Sequence, residues 1–380
     1  MAHKRFSRRE ALQAGAGLVA GAAAAITART HLSAQSGGVN PTPPPARDLR
    51  YPLPPTWPRE LRQLALNVYA YSQGGGPDMS GPGVSNAGLI VGPDYILAVD
   101  ALQGPIPAKD FISRAQQVGR GKPIARLVNT HHHGDHVAGN QFFTGAEISS
   151  HPYCRNEVLK AVANTPKTWT ATPNVAQGGE PRVLVPPTVT FKDDLTYFLG
   201  DTEVRFVFAG PAHTWGDVMA YLPQHKILFT GDVGFFWVAP YANNSYITKW
   251  IETCDKIAGW DVDVIVPGHG PIGAKKELVE MANYFRTLGV EARKRYEAKM
   301  TAGAAATEIR LGRFDNWVGP ERLIMDVVRW YQEWDGTLTP DYDANRVREA
   351  TIEYNAIKAG AKKTGEMIPL ERMIALADAC

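Results

Sequence analysis

Residues 124–140 read Ile124-Ala125-Arg126-Leu127-Val128-Asn129-Thr130-His131-His132-His133-Gly134-Asp135-His136-Val137-Ala138-Gly139-Asn140, and the order of residue types in them decides the fold class and the chemistry to expect of the chain. The apolar, β-branched run Ile124–Val128 predicts a strand, and imidazoles and a carboxylate leave from its C-terminal end within six residues. A loop at that place turns alternate side chains toward one point. Imidazole nitrogen and carboxylate oxygen are zinc-type ligands. A single ion that took four groups from so tight a loop would keep no position for substrate. The spacing H-x-H-x-D-H therefore suggests two ions.

Three further segments repeat the arrangement. Gly210-Pro211-Ala212-His213-Thr214 follows the run Val204–Phe208, Thr230-Gly231-Asp232 follows Ile227–Phe229, and Pro267-Gly268-His269-Gly270 follows Val262–Val266. Each sets one potential ligand just beyond a predicted strand, beside a glycine that permits a sharp turn. Together with the strand-like runs Gly88–Val91, Tyr95–Val99 and Met219–Leu222 and the helix-like stretches between them, this is an α/β pattern. From Ala274 onward the period changes. Leu278, Met281, Ala282 and Phe285 recur at helical spacing, as do Leu323, Val327 and Tyr331, so the C-terminal hundred residues are expected to be mostly helix. Trp317, Trp330, Tyr331 and Trp334 are expected to pack that helical part on the α/β core.

Composition sets the outer limits. The chain has 380 residues with 40 Lys and Arg against 38 Asp and Glu, and 44% of it is hydrophobic, which fits a folded protein with a sizeable core. A formal charge of +2 over that length gives no electrostatic reason to expect a nucleic-acid partner. Three Cys residues exclude both a disulfide framework and a four-Cys zinc site; Cys154 and Cys254 are read either as a pair or as buried thiols, and Cys380 matches no ligand position. No G-x-S-x-G elbow and no P-loop offers a rival chemistry.

The N-terminus reads as an address. Arg8 and Arg9 precede Leu12–Ile26, a short run of small apolar residues, and Leu32-Ser33-Ala34 is a plausible cleavage point. Residues 1–34 resemble a bacterial twin-arginine export signal rather than a membrane span, which implies the twin-arginine machinery as a partner, a periplasmic location and no stable membrane span after processing. Removing them leaves 35 basic against 37 acidic residues. Eight prolines between Pro41 and Pro58 predict an extended tether over 35–60. The remaining division is an α/β domain over 61–300 and a helical extension over 301–380.

With these residues in view, the sequence resembles the metallo-β-lactamase superfamily over roughly 85–275, and the string THHHGDHVAGN (130–140) is most similar to its glyoxalase II branch. The resemblance implies an α/β fold, an αββα sandwich with its metals at one edge between the two sheets, followed here by a helical C-terminal extension. It implies that His131, His133 and His213 hold the first ion, that Asp135, His136 and His269 hold the second, and that Asp232 bridges them. Asp100 matches an early structural Asp, and His132 is expected to point away. His151 and His225 fit no motif.

Two zinc ions, with iron or manganese as other candidates, would lower the pKa of a shared water toward neutrality, with Asp135 orienting it and handling its proton. The implied function is a zinc-dependent hydrolase that uses a metal-bridging hydroxide to cleave a small-molecule ester, thioester, lactone or amide. Three alternatives stay open: a β-lactamase, an oxidoreductase with one iron similar to persulfide dioxygenases, and a non-catalytic metal-binding accessory protein. The aspartate at 232, where some β-lactamases place Cys or Ser, departs from the antibiotic-degrading pattern. Phe235-Phe236-Trp237, Tyr241, Asn243, Asn244, Trp215 and Trp169 are the residues considered for the substrate mouth.

Overall fold

A computed structural model of the chain describes residues 46–77, 79, 85–164, 180–181 and 183–360. The expected export signal, the first part of the proline-rich tether, Trp169 and Cys380 lie outside the described residues. Among the described residues no helix is long and apolar enough to cross a membrane.

Two sheets face each other. Among the described residues the first has seven strands in sequential order: β1 (Trp57–Ala65), β2 (Val68–Gly75), β3 (Ala87–Val91), β4 (Ile96–Val99), β5 (Ile124–Val128), β6 (Glu147–Ser150) and β7 (Val189–Thr190). Strands β1 to β4 form an antiparallel meander, after which β4, β5, β6 and β7 run parallel. The second sheet has the order β12-β11-β10-β9-β8, from β8 (Asp194–Leu199), β9 (Thr202–Phe208), β10 (Val218–Leu222), β11 (Ile227–Phe235) and β12 (Val264–His269), with only the β11/β12 pair parallel.

Every residue of β3, β4 and β11 is buried, as expected of strands covered on both faces. Val68, Ile90, Val99, Phe206, Val218 and Phe229 interdigitate between the sheets. Helix α1 (Pro105–Val118) covers the outer face of the first sheet, where Phe111 and Ala115 join Leu89, Ala98 and Leu127. The single turn α2 (Gly134–Val137) follows β5, and helix α3 (Pro152–Asn164) follows β6. The outer face of the second sheet is covered by α4 (Ile247–Ala258) and α5 (Lys275–Glu297), with Trp250, Cys254, Met281 and Phe285 against Leu228, Val233 and Ile265. The architecture is the expected αββα sandwich.

The helical C-terminal region contains α6 (Ala302–Glu308), α7 (Leu323–Asp335) and α8 (Ala344–Lys358). Its Trp317, Trp330 and Tyr331 are buried in the same apolar cluster as α4 and α5, with Trp334 packed against it. The core therefore runs without interruption across residue 300, where the sequence suggests a boundary. The start of the fold also differs from expectation. β1 begins at Trp57 rather than near Leu61, and Pro58 lies within it. A proline is tolerated there because β1 is an edge strand that needs hydrogen-bond partners on one side only. The preceding stretch is pinned as well: Asn316 Nδ2 donates to the carbonyls of Asp48 and Tyr51, and Asn316 Oδ1 accepts from the Asp48 N–H.

Candidate metal centre

Four strands deliver their C-terminal ends to one edge of the sandwich. β4 ends at Asp100, which turns the chain with φ 64°. Aspartate is one of the few residue types that tolerates this left-handed conformation. The Asp100 carboxylate then collects three donors: Thr130 N–H (2.7 Å), Thr130 Oγ1–H (2.8 Å) and His136 Nδ1 (2.8 Å). Because Thr130 Oγ1 donates to Asp100, it accepts from His131 Nδ1 at 3.1 Å. Both imidazoles are thereby held with Nδ1 protonated toward the protein and Nε2 turned to the centre. These Nε2 atoms, together with Asp232 Oδ1, are buried and have no hydrogen-bond partner.

β11 brings in Asp232, and β12 ends on His269. Gly231 takes φ 50°, and a Cβ there would lie 2.5 Å from Thr130 Oγ1, so only glycine lets this strand pass the Thr130 turn. His213 sits in the loop between β9 and β10, which Asp217 secures by accepting from the Thr214 N–H (2.7 Å) and hydroxyl (2.6 Å).

All seven ligand candidates converge. His131, His133, His213 and Asp232 form one group and Asp135, His136 and His269 a second, with one donor atom of each residue within 4.8 Å of the others in its group. Asp232 stands between them: Oδ1 lies 3.0 Å from His136 Nε2, while Oδ2 lies 3.2 Å from His213 Nε2, 3.3 Å from His269 Nε2 and 3.6 Å from His131 Nε2. Asp135 Oδ2 is 3.0 Å from His269 Nε2. His133 Nδ1 and His213 Nε2 are 2.8 Å apart, a separation at which two ring nitrogens share a proton or another cation. The orphaned atoms and the nitrogen-oxygen donor set fit two zinc-type ions.

The electrostatics divide the cluster. Burial and the neighbouring imidazoles depress His131 and His213 well below the usual histidine range, and burial depresses His133. These three are neutral and present lone pairs. His136 is the opposite case: burial acts to lower it, but Asp232, Asp100 and Asp135 hold it well above the ordinary value, and His269 is raised by Asp232 and Asp135 against the same burial. Burial opposes the charge on Asp232, yet His269, His136, His131 and His213 keep it well below the usual carboxylate range.

The other residues singled out by sequence separate cleanly. His132 belongs to neither donor group and meets the Tyr153 ring edge-on at 5.7 Å. His151 stacks on Phe208, and His225 lies in a surface turn after β10. Phe235 and Phe236 are fully buried, with Phe235 stacked under His269 at 4.9 Å, so they form the floor beneath the centre rather than its mouth. Trp215 stacks on Tyr246. Cys154 and Cys254 are separate buried free thiols. Tyr241 and Asn244 do reach the centre: the Tyr241 ring is 6.2 Å from that of His133, and Asn244 Oδ1 is 3.0 Å from His133 Nε2.

A family model described as the metallo-beta-lactamase superfamily matches residues 80–269. A linear primary-alkylsulfatase of a Pseudomonas strain is 22% identical over 52% of this chain, and the match covers 44% of the relative, so the chain spans less than half of that protein's length. The acyl-coenzyme A thioesterase MBLAC2 of Gallus gallus is 27% identical over 54% of this chain and 80% of its own. The solved structure of the sec-alkylsulfatase Pisa1 from Pseudomonas sp. superposes with a TM-score of 0.54 at 17% identity, covering 72% of this chain and 50% of that one, which speaks for the fold. The family match takes in half of the chain, and it spans Asp100 and all seven convergent side chains, the last of them, His269, at its final residue: the chain belongs to the metallo-beta-lactamase superfamily.

Proposed function

We propose that the protein is a dinuclear zinc hydrolase acting on a small-molecule ester, thioester, lactone or amide. The observation that carries this reading is the Asp232 carboxylate, 3% exposed, shared between two complete donor sets in one buried cluster. Zinc bound there supplies a Lewis acid for the scissile carbonyl and activates water as the nucleophile. The chain's own contribution is division of labour between its two central carboxylates. Asp232 is closed off and fixes the charge between the sets. The Asp135 side chain is 32% exposed and held by His269, so it faces incoming substrate, where Oδ orients the nucleophile and accepts its proton.

A complete second set of Asp135, His136 and His269 favours two ions over the single iron of the oxidoreductase alternative, and retention of every donor speaks against a non-catalytic accessory protein. The thioesterase and alkylsulfatase relatives support ester-type substrates. The charge of Asp232 between the ions weakens their pull on a developing nitrogen anion, which disfavours a β-lactam amide. Metal analysis and a substrate panel on one zinc-loaded preparation test all of this together. The expected result is about two zinc ions per chain and kcat/KM on activated esters, thioesters or lactones about tenfold above that on penicillins and carbapenems, a difference of ~1.4 kcal/mol in barrier. Saturation at one iron, or equal β-lactam turnover, would replace this reading with the corresponding alternative.

Export to the periplasm by the twin-arginine route is part of the same proposal, supported by Arg8-Arg9 and the Leu12–Ile26 run. Residues 1–40 fused to a reporter that is exported only when folded should carry it across the membrane, and Arg8→Lys with Arg9→Lys should retain it; export indifferent to that double change would refute the route.

A further inference from the structure

Helix α7 carries a buried polar stripe in an otherwise apolar region. The buried Arg322, at its N-terminal boundary, Asp326 and Arg329, with the half-buried Glu333, recur at helical spacing on one face, toward the segment that follows β11. Arg322 Nη1 donates to the Ala239 carbonyl at 2.5 Å, Arg329 Nε donates to the Ser245 carbonyl at 2.6 Å, and Glu333 Oε1 accepts from the Ile247 N–H at 2.6 Å, while Asp326 accepts from the Tyr284 hydroxyl of α5 at 2.7 Å. The helix thus satisfies, one after another, the backbone groups of the stretch that presents Tyr241 and Asn244 to the metal centre.

Arg329 does more than hold that stretch. Its Nη2 donates to the Thr339 carbonyl at 2.6 Å, so one guanidinium ties Ser245 to Thr339. The residues next to these two, Asn244 and Pro340, are bonded in turn: Asn244 Nδ2 donates to the Pro340 carbonyl at 2.8 Å. A carbonyl only accepts, so the amide nitrogen of Asn244 must face Pro340 and its oxygen must face His133. An oxygen acceptor 3.0 Å from His133 Nε2 requires that nitrogen to carry the proton. The Nδ1 of His133 is then the bare nitrogen, and it is the one that lies 2.8 Å from His213 Nε2 within the first donor group.

We propose that Asn244, anchored by the Pro340 carbonyl of the C-terminal region, is a positioning residue that fixes the tautomer of His133 and so makes the first metal set competent. This rests on the reading of His131, His133, His213 and Asp232 as that set. The C-terminal helices are then part of the metal centre's support, as Asp100 and Thr130 are for His131 and His136.

The test separates acceptor from packing. Zinc dissociation constants for the first set are measured by chelator competition in a His269→Ala background, which removes a donor from the second set. There Asn244→Leu should weaken zinc about 10- to 100-fold. Asn244→Asp keeps an oxygen toward His133 but gives up the donor to Pro340, and should weaken zinc clearly less than Asn244→Leu does. In a His213→Ala background, which damages the first set instead, Asn244→Leu should leave the second set's affinity within about threefold. Ring-nitrogen NMR of the metal-free protein, independent of any activity, should show His133 protonated at Nε2 in the parent and that preference lost in Asn244→Leu. Equal weakening by Leu and Asp, or no weakening by either, would overturn the relay, as would an unchanged His133 tautomer. Failure of the His269→Ala parent itself to bind zinc would instead strike the metal assignment.

Discussion

Gly268 backs directly onto Asp232: a Cβ added there would overlap Asp232 Oδ1 and lie 2.7 Å from the Gly231 carbonyl carbon and 2.8 Å from the Asp232 nitrogen. The parallel β11 and β12 approach each other this closely because the carboxylate between the two donor sets needs the space that a side chain would fill. Two of the three contacts are backbone, so relief by a rotamer change is blocked. Gly268→Ala should displace the one residue common to both sets and lower zinc content from about two ions to below one per chain, with the fold retained by circular dichroism. Zinc content unchanged in that variant would mean that Asp232 is not where the two sets meet.

The division of the cluster into neutral and protonated histidines predicts how each set responds to pH. His131, His133 and His213 are depressed, so at neutral pH they hold no proton for zinc to displace. His136 is held well above the ordinary histidine value and His269 is raised as well, so in the metal-free protein the second set holds protons that zinc must expel. The affinity of the second set should therefore climb with pH, by about tenfold per unit for each displaced proton, until the raised pKa values are passed. The first set should change much less between pH 6 and 8. Chelator competition at several pH values, with His213→Ala reporting the second set and His269→Ala the first, measures both slopes. Identical slopes would contradict the assignment of the protons.

Asp135 and Asp232 should differ in kind when each is neutralised. Asp135→Asn keeps the size of the exposed carboxylate but removes its ability to accept a proton, and turnover should fall on the order of 10²-fold or more. Metal is still expected at the first set, which Asp135 does not serve. Steady-state kinetics with metal analysis of the same sample decides it, and full activity at unchanged zinc content would dismiss Asp135 as the proton acceptor.

The ligands are legible in the sequence because histidine and aspartate are chemically distinct and each stands at the end of an apolar run that can only be a strand. The outer strands of the sheets are not. β1 reads WPRELRQLA, with a proline and exposed charged residues, as suits an edge strand that buries little, and β8 and β7 are similarly exposed. Pairing with β2 decides β1, and pairing lies outside local sequence. The helical period of α7 is visible from Leu323, Val327 and Tyr331, but its working face is not. Arg322 and Arg329 look like ordinary surface charges until the backbone of residues 239–245 is laid against them, and Asp326 until Tyr284 is. Asn244 is a mouth candidate by its closeness to Asp232 in sequence; that its partner is His133 depends on Pro340, 96 residues away.

The same buried stripe makes a prediction about stability. Asp326 is fully buried and accepts from the Tyr284 hydroxyl at 2.7 Å, and burial pushes its carboxyl up to about 8 despite Arg322 one turn before it. In the unfolded chain the group sheds its proton near the ordinary aspartate value of ~3.9. Between these two values the folded protein holds a proton that the unfolded chain lacks, so this group's contribution to stability falls as pH rises through the window and levels off above it. Asparagine has the shape of the protonated acid: its oxygen still accepts from Tyr284, and it has no proton to lose. Relative to the wild type, Asp326→Asn should therefore gain stability as pH rises, by up to about 1.4 kcal/mol per pH unit for one proton. Urea unfolding of both proteins at pH 5, 6.5 and 8 measures the difference, in which the shared titration of the histidine cluster cancels. If the variant instead loses ground to the wild type with rising pH, Asp326 is ionised in the fold and paired with Arg322.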